Sequence, residues 1–152
     1  MREGQKMNSS SSKASLFLME LIFSILFFLI ATVVCVQMFV KSHTLSQESL
    51  RLNHSVIWSE SVAEGFYACN GDIELLSQKI PEAEYSETDK AVYLYYDNDF
   101  FACNKENDDK RYMLSGKWQK NGDILTLRIV VMDEVEDKEI YSLELSIFPD
   151  ND

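Results

Sequence analysis

Apolar and polar positions divide the chain into three stretches of different character. From Leu16 to Val40 nearly every position is apolar, with Glu20, Ser24, Thr32 and Gln37 as the clearly polar members. As an α-helix this run would be about 37 Å long, enough to cross a hydrocarbon core of about 30 Å with some tilt. It exceeds the roughly 7–15-residue apolar core of a secretory signal, and no small-residue cleavage pattern follows it. The pattern predicts a retained membrane span over 16–40. The polar, serine-rich leader of residues 1–15 has no apolar periodicity and is expected to be disordered.

After the span there is no helix breaker until Gly65. Apolar residues recur at Leu45, Leu52, Val56, Ala63, Phe66 and Tyr67, a mostly helical spacing. This predicts a stalk helix with one apolar stripe, and "GDIELLSQKI", ended by Pro81, adds a short helical extension, so that 41–80 is helical. The residues from 81 onward change to period two. "AVYLYY" (Ala91–Tyr96) is rich in β-formers. "RYMLSGKW" (Arg111–Trp118) alternates Tyr112, Leu114, Gly116 and Trp118. Asn121-Gly122 is a hairpin signal. "DILTLRIVVM" alternates Leu125, Leu127, Ile129 and Val131, and "IYSLELSIF" alternates Tyr141, Leu143, Leu145 and Ile147.

Such alternation describes an antiparallel sheet with one dry face. A helix with one apolar stripe and a sheet with one apolar face can cover each other. The expected fold is α+β: a long N-terminal helix packed on a small antiparallel sheet of three to four strands, with "PEAEYSETDK" as a polar connector. The exported part spans 81–152 as the sheet domain, after the span and the stalk.

Charge orients this plan. Arg2, Lys6 and Lys13 stand against Glu3 before the span, and positive flanks stay cytoplasmic. The acidic excess behind the chain's net charge of −11 lies in the part after the span. The N-terminus is therefore expected inside and the C-terminal domain outside. An acidic exported domain is kept soluble and repels nucleic acid and anionic lipid head groups, so nucleic acid is not an expected partner, and the membrane is one through the span. Of the three cysteines, Cys35 lies in the span, whereas Cys69 and Cys103 lie where a disulfide is permitted. Their settings, "FYACNGD" and "FFACNKE", are alike. A Cys69–Cys103 bridge would contribute about 3–4 kcal/mol through loop closure; two free thiols are the other reading, and spacing alone does not choose between them.

Glu20 asks for an explanation, because a carboxylate at the centre of a span costs about 2.5–3.5 kcal/mol. It lies about one turn inside, so one reading is that it snorkels to the head groups. The segment "KAS-LFLMELIFSILFFLIATVV" resembles the N-terminus of type IV prepilins and of the pseudopilins of type II secretion systems. The resemblance implies cleavage by a prepilin peptidase between Ser15 and Leu16, N-methylation of the new N-terminal Leu16, and an assembly role for Glu20 as the fifth mature residue. In a growing fibre that carboxylate would pair with the α-amine of a neighbouring subunit, removing two costly charges together. Ser15 replaces the family's usual glycine or alanine, Leu16 its phenylalanine or methionine, and Phe17 its threonine or serine. The span also lacks the helix-bending proline of major pilins, which points to a minor member. The helix-then-sheet plan extends the resemblance over nearly the whole chain.

Other chemistry finds little support. His43 and His54 are eleven residues apart, too far for one metal, and are expected at the surface. No glycine-flanked nucleophile elbow or phosphate-cradling loop is present. The clusters Asp97–Asp99 and Asn107–Asp109 lack the ligand spacing of a calcium loop. Asn53-His54-Ser55 matches a glycosylation sequon but falls on the stalk, and Trp58 and Trp118 read as packing residues. No metal, cofactor or enzymatic activity is expected. The expected function is that of a structural subunit of a type II secretion or type IV pilus-like apparatus in a bacterial cell membrane. Its partners would be a prepilin peptidase and other pilin or pseudopilin subunits. The alternative is an uncleaved single-pass protein whose exported domain binds a partner.

Overall fold

The computed structural model describes residues 7–149, with side chains from residue 13. The chain divides into two compact units, residues 1–47 and 48–152. One helix, α1 (Met7–Ala68), contributes to both. It begins earlier than the leader was expected to allow: residues 7–15, read as disordered, are helical, while residues 1–6 lie outside the described residues. No proline or glycine interrupts this stretch, so each residue added to an existing helix gains a hydrogen bond without a new nucleation cost.

In the second unit α1 ends on a left-handed residue, Asn70 (φ 53°), followed by Gly71 (φ 83°). The Asn70 N–H donates to the Tyr67 carbonyl at 3.1 Å and the Gly71 N–H to that of Phe66 at 3.0 Å, so two of the carbonyls left over in the last turn are satisfied. Asp72 then caps α2 (Ile73–Lys79), its carboxylate accepting from the Leu75 N–H at 3.0 Å. A Cβ at Gly65 would lie 2.6 Å from Leu76 Cδ1, so the absence of a side chain there lets α2 close onto α1.

The sheet is wholly antiparallel and larger than the expected three to four strands. Its order is β1 (Glu84–Ser86), β2 (Ala91–Asp97), β4 (Lys110–Asn121), β5 (Ile124–Asp133), β6 (Lys138–Ile147), with β3 (Ala102–Cys103) pairing with β2. The two additional strands are three and two residues long. Pieces this short carry no legible alternation, and β1 comes from the stretch read as a polar connector. The β4–β5 hairpin closes through Gly122 and Asp123, between the paired residues Asn121 and Ile124. Gly122 takes φ 63° in the first loop position, the glycine-first form of a two-residue turn.

The alternation predicted for the long strands is found. Tyr112, Leu114, Leu125, Leu127, Ile129, Val131 and Ile147 join one buried cluster with Val92, Leu94 and Tyr96, and Leu143 and Leu145 pack against it half-buried. The helix stripe that covers this face is only in part the expected one: Phe66 is fully buried and Ala63 packs against the cluster. Leu52 and Tyr67 remain 45% and 72% exposed, and Leu45 is exposed too. The face that packs runs Ser55, Trp58, Ser59, Val62, Phe66 and Cys69. Two fully buried serines broke the apolar signal. Their small side chains suit a close approach of helix and sheet, and the Ser55 hydroxyl donates to the Arg51 carbonyl at 2.8 Å.

Aromatic rings and charges fasten the helix. Trp58 stacks on Tyr96 with ring centres 3.8 Å apart, and His54 stacks on Phe100 at 4.2 Å. His54 is thus half-buried in a ring cluster rather than at the surface, while His43 is exposed. Phe100 reaches this position from a left-handed backbone (φ 67°), an unusual conformation for a bulky residue, and its ring also stacks on Tyr112. Burial, with the nearby charge of Glu82, pushes the Tyr96 phenol up to about 12.

Beside the rings, Arg111 donates from Nε and Nη2 to Asp133 Oδ2, both at 3.0 Å. Arg51 on α1 donates to Glu136 at 2.7 Å and approaches Asp133 Oδ2 at 3.6 Å. Asp133 is 1% exposed, and its other oxygen accepts the N–H groups of Val135 and Glu136 at 3.0 and 3.1 Å. Burial alone would raise the Asp133 carboxyl. The Glu136 and Val135 N–H groups and the Arg111 guanidinium outweigh it and hold the group below its ordinary value.

A carboxyl lowered in the folded state contributes stability above its unfolded value of about 3.9 and loses it as pH falls through the lower folded value. Asp133→Asn should therefore cost about 3 kcal/mol at pH 7, the order expected for removing one partner of a buried pair. It should also flatten the loss of stability below pH ~4. Denaturant unfolding of the full-length chain in detergent, followed by tryptophan fluorescence across pH, measures both effects.

Candidate assembly site

The residues singled out by the sequence lie on an uninterrupted part of α1. Helical geometry places Leu16 and Glu20, four residues apart, on the same face in successive turns, with Ser15 immediately before them. The helix is long and apolar enough to cross a membrane: its most apolar 18-residue window has a mean hydropathy of 2.6, and none of that window is buried. Leu16 is 64% exposed, and the apolar side chains that follow are similarly open.

The Thr32 hydroxyl donates to the Phe28 carbonyl at 2.9 Å and the Thr44 hydroxyl to that of Val40 at 3.1 Å, each four residues back. Such back-bonding satisfies a hydroxyl within the helix itself, which an apolar solvent requires. The Glu20 carboxylate differs, since no ion pair or hydrogen bond reaches it among the described residues. Chemically, the segment presents one acidic group, near the start of a long apolar cylinder, available to a cation from elsewhere.

The two cysteines outside the apolar run are both free and both buried. The pairing register explains why no bridge joins them. Cys103 stands opposite Tyr95, and directly opposed residues share a face. Tyr95 alternates with Leu94 and Tyr96, which face α1, so Cys103 lies on the far face. Cys69 belongs to the cluster beneath the helix. The sheet therefore separates the two thiols. Burial, reinforced by the charge of Asp97, pushes the Cys103 thiol up, which makes it less reactive.

The acidic clusters serve as turn caps. Asp97 Oδ1 accepts the N–H groups of Asp99 and Phe101, both at 2.9 Å, and Asn107 Oδ1 accepts that of Asp109 at 2.9 Å. Among the described residues no group of three or more histidine, cysteine, aspartate and glutamate side chains is placed to hold a metal. Trp118 is half-buried against the core, with Lys90 Nζ 5.6 Å from its ring centre. The salt-bridged set Arg51, Arg111, Asp133 and Glu136 was missed in the sequence, because its members are distant in the chain and each reads as an ordinary surface charge.

Comparisons of the chain with family models, curated proteins and solved structures gave no match. The architecture itself is that of a pilin-like chain: a long N-terminal apolar helix whose later turns cover an antiparallel sheet.

If the sheet separates Cys69 from Cys103, the intact mass of the full-length protein should not change on reduction. Both thiols should resist alkylation in the folded state and react fully after denaturation, as mass spectrometry reads directly.

Proposed function

We propose that the chain is a minor pilin-like or pseudopilin-like subunit of a type II secretion or type IV pilus-like apparatus. In this reading it is a structural component rather than an enzyme. It sits in a bacterial cell membrane with its N-terminus cytoplasmic and its sheet domain outside. A prepilin peptidase cuts between Ser15 and Leu16 and methylates the new α-amine of Leu16. The chain then assembles through its N-terminal helix with other pilin or pseudopilin subunits.

The observation that carries the reading is the pairing of Leu16 and Glu20 on successive turns of an exposed apolar helix. A free amine at Leu16 and a carboxylate one turn later give each subunit both halves of an ion pair. In lipid each half alone is costly, so pairing between neighbours lowers the energy and sets the register of subunits. Support also comes from the rest of the chain, since α1 continues into the turns that cover the sheet. That is the division between fibre-forming helix and displayed domain expected of such a subunit.

Two experiments test the proposal. With a prepilin peptidase present, mass spectrometry of the mature protein should find N-methyl-leucine at Leu16. An intact leader under those conditions would instead favour the uncleaved single-pass protein. Glu20→Ala should insert into the membrane normally, yet co-assemble with fellow subunits roughly tenfold less well or worse. An unpaired charge in the apolar segment costs about 2.5–3.5 kcal/mol. Crosslinking to fellow subunits in membranes measures this, and unchanged crosslinking would refute the pairing.

A further inference from the structure

The two edges of the sheet are treated differently. At one edge lie β1 and β3, three and two residues long, with the charges of Glu82 and Glu84 beside them. Short, charged edge strands resist pairing with another chain. At the other edge lies β6, ten residues long and paired only with β5. A single irregularity near Ile140 interrupts its register, after which Tyr141 to Ile147 run regularly.

The open edge also leaves the apolar layer unfinished. On β5 the inward residues Leu127, Ile129 and Val131 are fully buried. Their direct partners on β6, Leu145, Leu143 and Tyr141, are only half-buried. One further strand beside β6 would complete the layer and satisfy the outward backbone groups.

We propose that this strand is β6 of a second copy of the chain, paired antiparallel about a two-fold axis at Leu143. Opposed residues in an antiparallel pair must share a face, which restricts the axis to a residue position. An axis at Glu144 would set the two Glu144 carboxylates directly against each other, which is destabilising. An axis at Ser142 would leave only three regular pairs before the irregularity at Ile140, and one at Leu145 would set Tyr141 opposite Pro149, beyond the end of the strand, leaving Tyr141 uncovered. With the axis at Leu143, Leu143 meets its own copy and Tyr141 meets Leu145 on the inner face. On the outer face Ser142 meets Glu144, a hydroxyl beside a carboxylate. Arg128 stands opposite Glu144 on β5, so the outer face around the axis is electrically balanced although the chain carries a net charge of −11. Such an isologous contact closes on itself and ends at the dimer. It stands independently of the N-terminal assembly reading.

The test uses the full-length chain in detergent micelles, with Ser142 as the lever because its side chain is exposed and its replacement leaves the core intact. Ser142→Glu places two like-charged pairs at the interface and should weaken dimerisation by up to about tenfold. Ser142→Lys places two opposite-charged pairs there and should strengthen it by a similar factor. Sedimentation equilibrium reads both. Association driven by the apolar helix would respond to neither, and equal affinities for the two variants would overturn the proposal, as would a monomeric chain. Register is checked in a Cys35→Ala background with two tagged copies. Ser142→Cys on one copy and Glu144→Cys on the other should form a disulfide between chains. The combination of Ser142→Cys with Ser146→Cys should not, and equal yields from the two combinations would also overturn it.

Discussion

A sheet with one apolar face must be covered, and in this protein α1 does most of the covering, with Ile73 and Leu76 of α2 joining the same buried cluster. Trp58 carries much of that contact. It is 9% exposed and stacks on Tyr96, with His54, Phe100 and Tyr112 closing around it. Ser55 and Ser59 add no bulk on the same helix face, so the large ring and the small hydroxyls together define the fit. Around this contact the Arg51–Glu136 and Arg111–Asp133 pairs join α1, β4 and the β5–β6 turn. Of these charges only Asp133 is buried, and its two guanidinium neighbours fix where helix and strand meet, because each needs a carboxylate in one place. The helix position therefore rests on apolar stacking for strength and on the paired charges for register.

The same helix changes character along its length. In residues 48–68 its buried face is narrow and mixed with serine, suited to packing on a protein surface. In the apolar run the side chains are exposed all round, and the Thr32 hydroxyl turns back to the Phe28 carbonyl of its own helix. Glu20 is the one charged group in that run, and its lack of a partner among the described residues is what makes an external partner chemically reasonable. The proposed assembly function depends on this one unpaired group together with the residue four positions before it. In that proposal the sheet domain would be the displayed part, and its β6 edge offers a second surface whose backbone groups face outward.

The strand pattern was legible because its cause is local. Tyr112, Leu114, Leu125, Leu127, Ile129 and Val131 alternate with polar residues, and a sheet covered on one side requires that alternation whatever covers it. The apolar run of 16–40 was legible for the same reason, since length and composition alone decide whether a helix can cross a bilayer. The helix stripe was misread because apolar character and burial parted company there. Leu52 and Tyr67 are apolar and exposed, whereas Ser55 and Ser59 are polar and buried. The strands β1 and β3 were missed because pieces of three and two residues owe their pairing to β2 and have no pattern of their own.

By itself the sequence determined the α+β class, the long apolar helix, the three long strands β4, β5 and β6 with their inward faces, and the spacing of Leu16 and Glu20. These follow from periodicity and composition, which act through neighbours along the chain. Tertiary structure alone decided which helix face meets the sheet, how Asp133 gathers two arginines, and that Cys69 and Cys103 lie on opposite faces. Each of those depends on strand register and on contacts between residues far apart in the chain. Register is set by the packing of the whole sheet, and two like-looking cysteine segments carry no information about which side of it they will occupy.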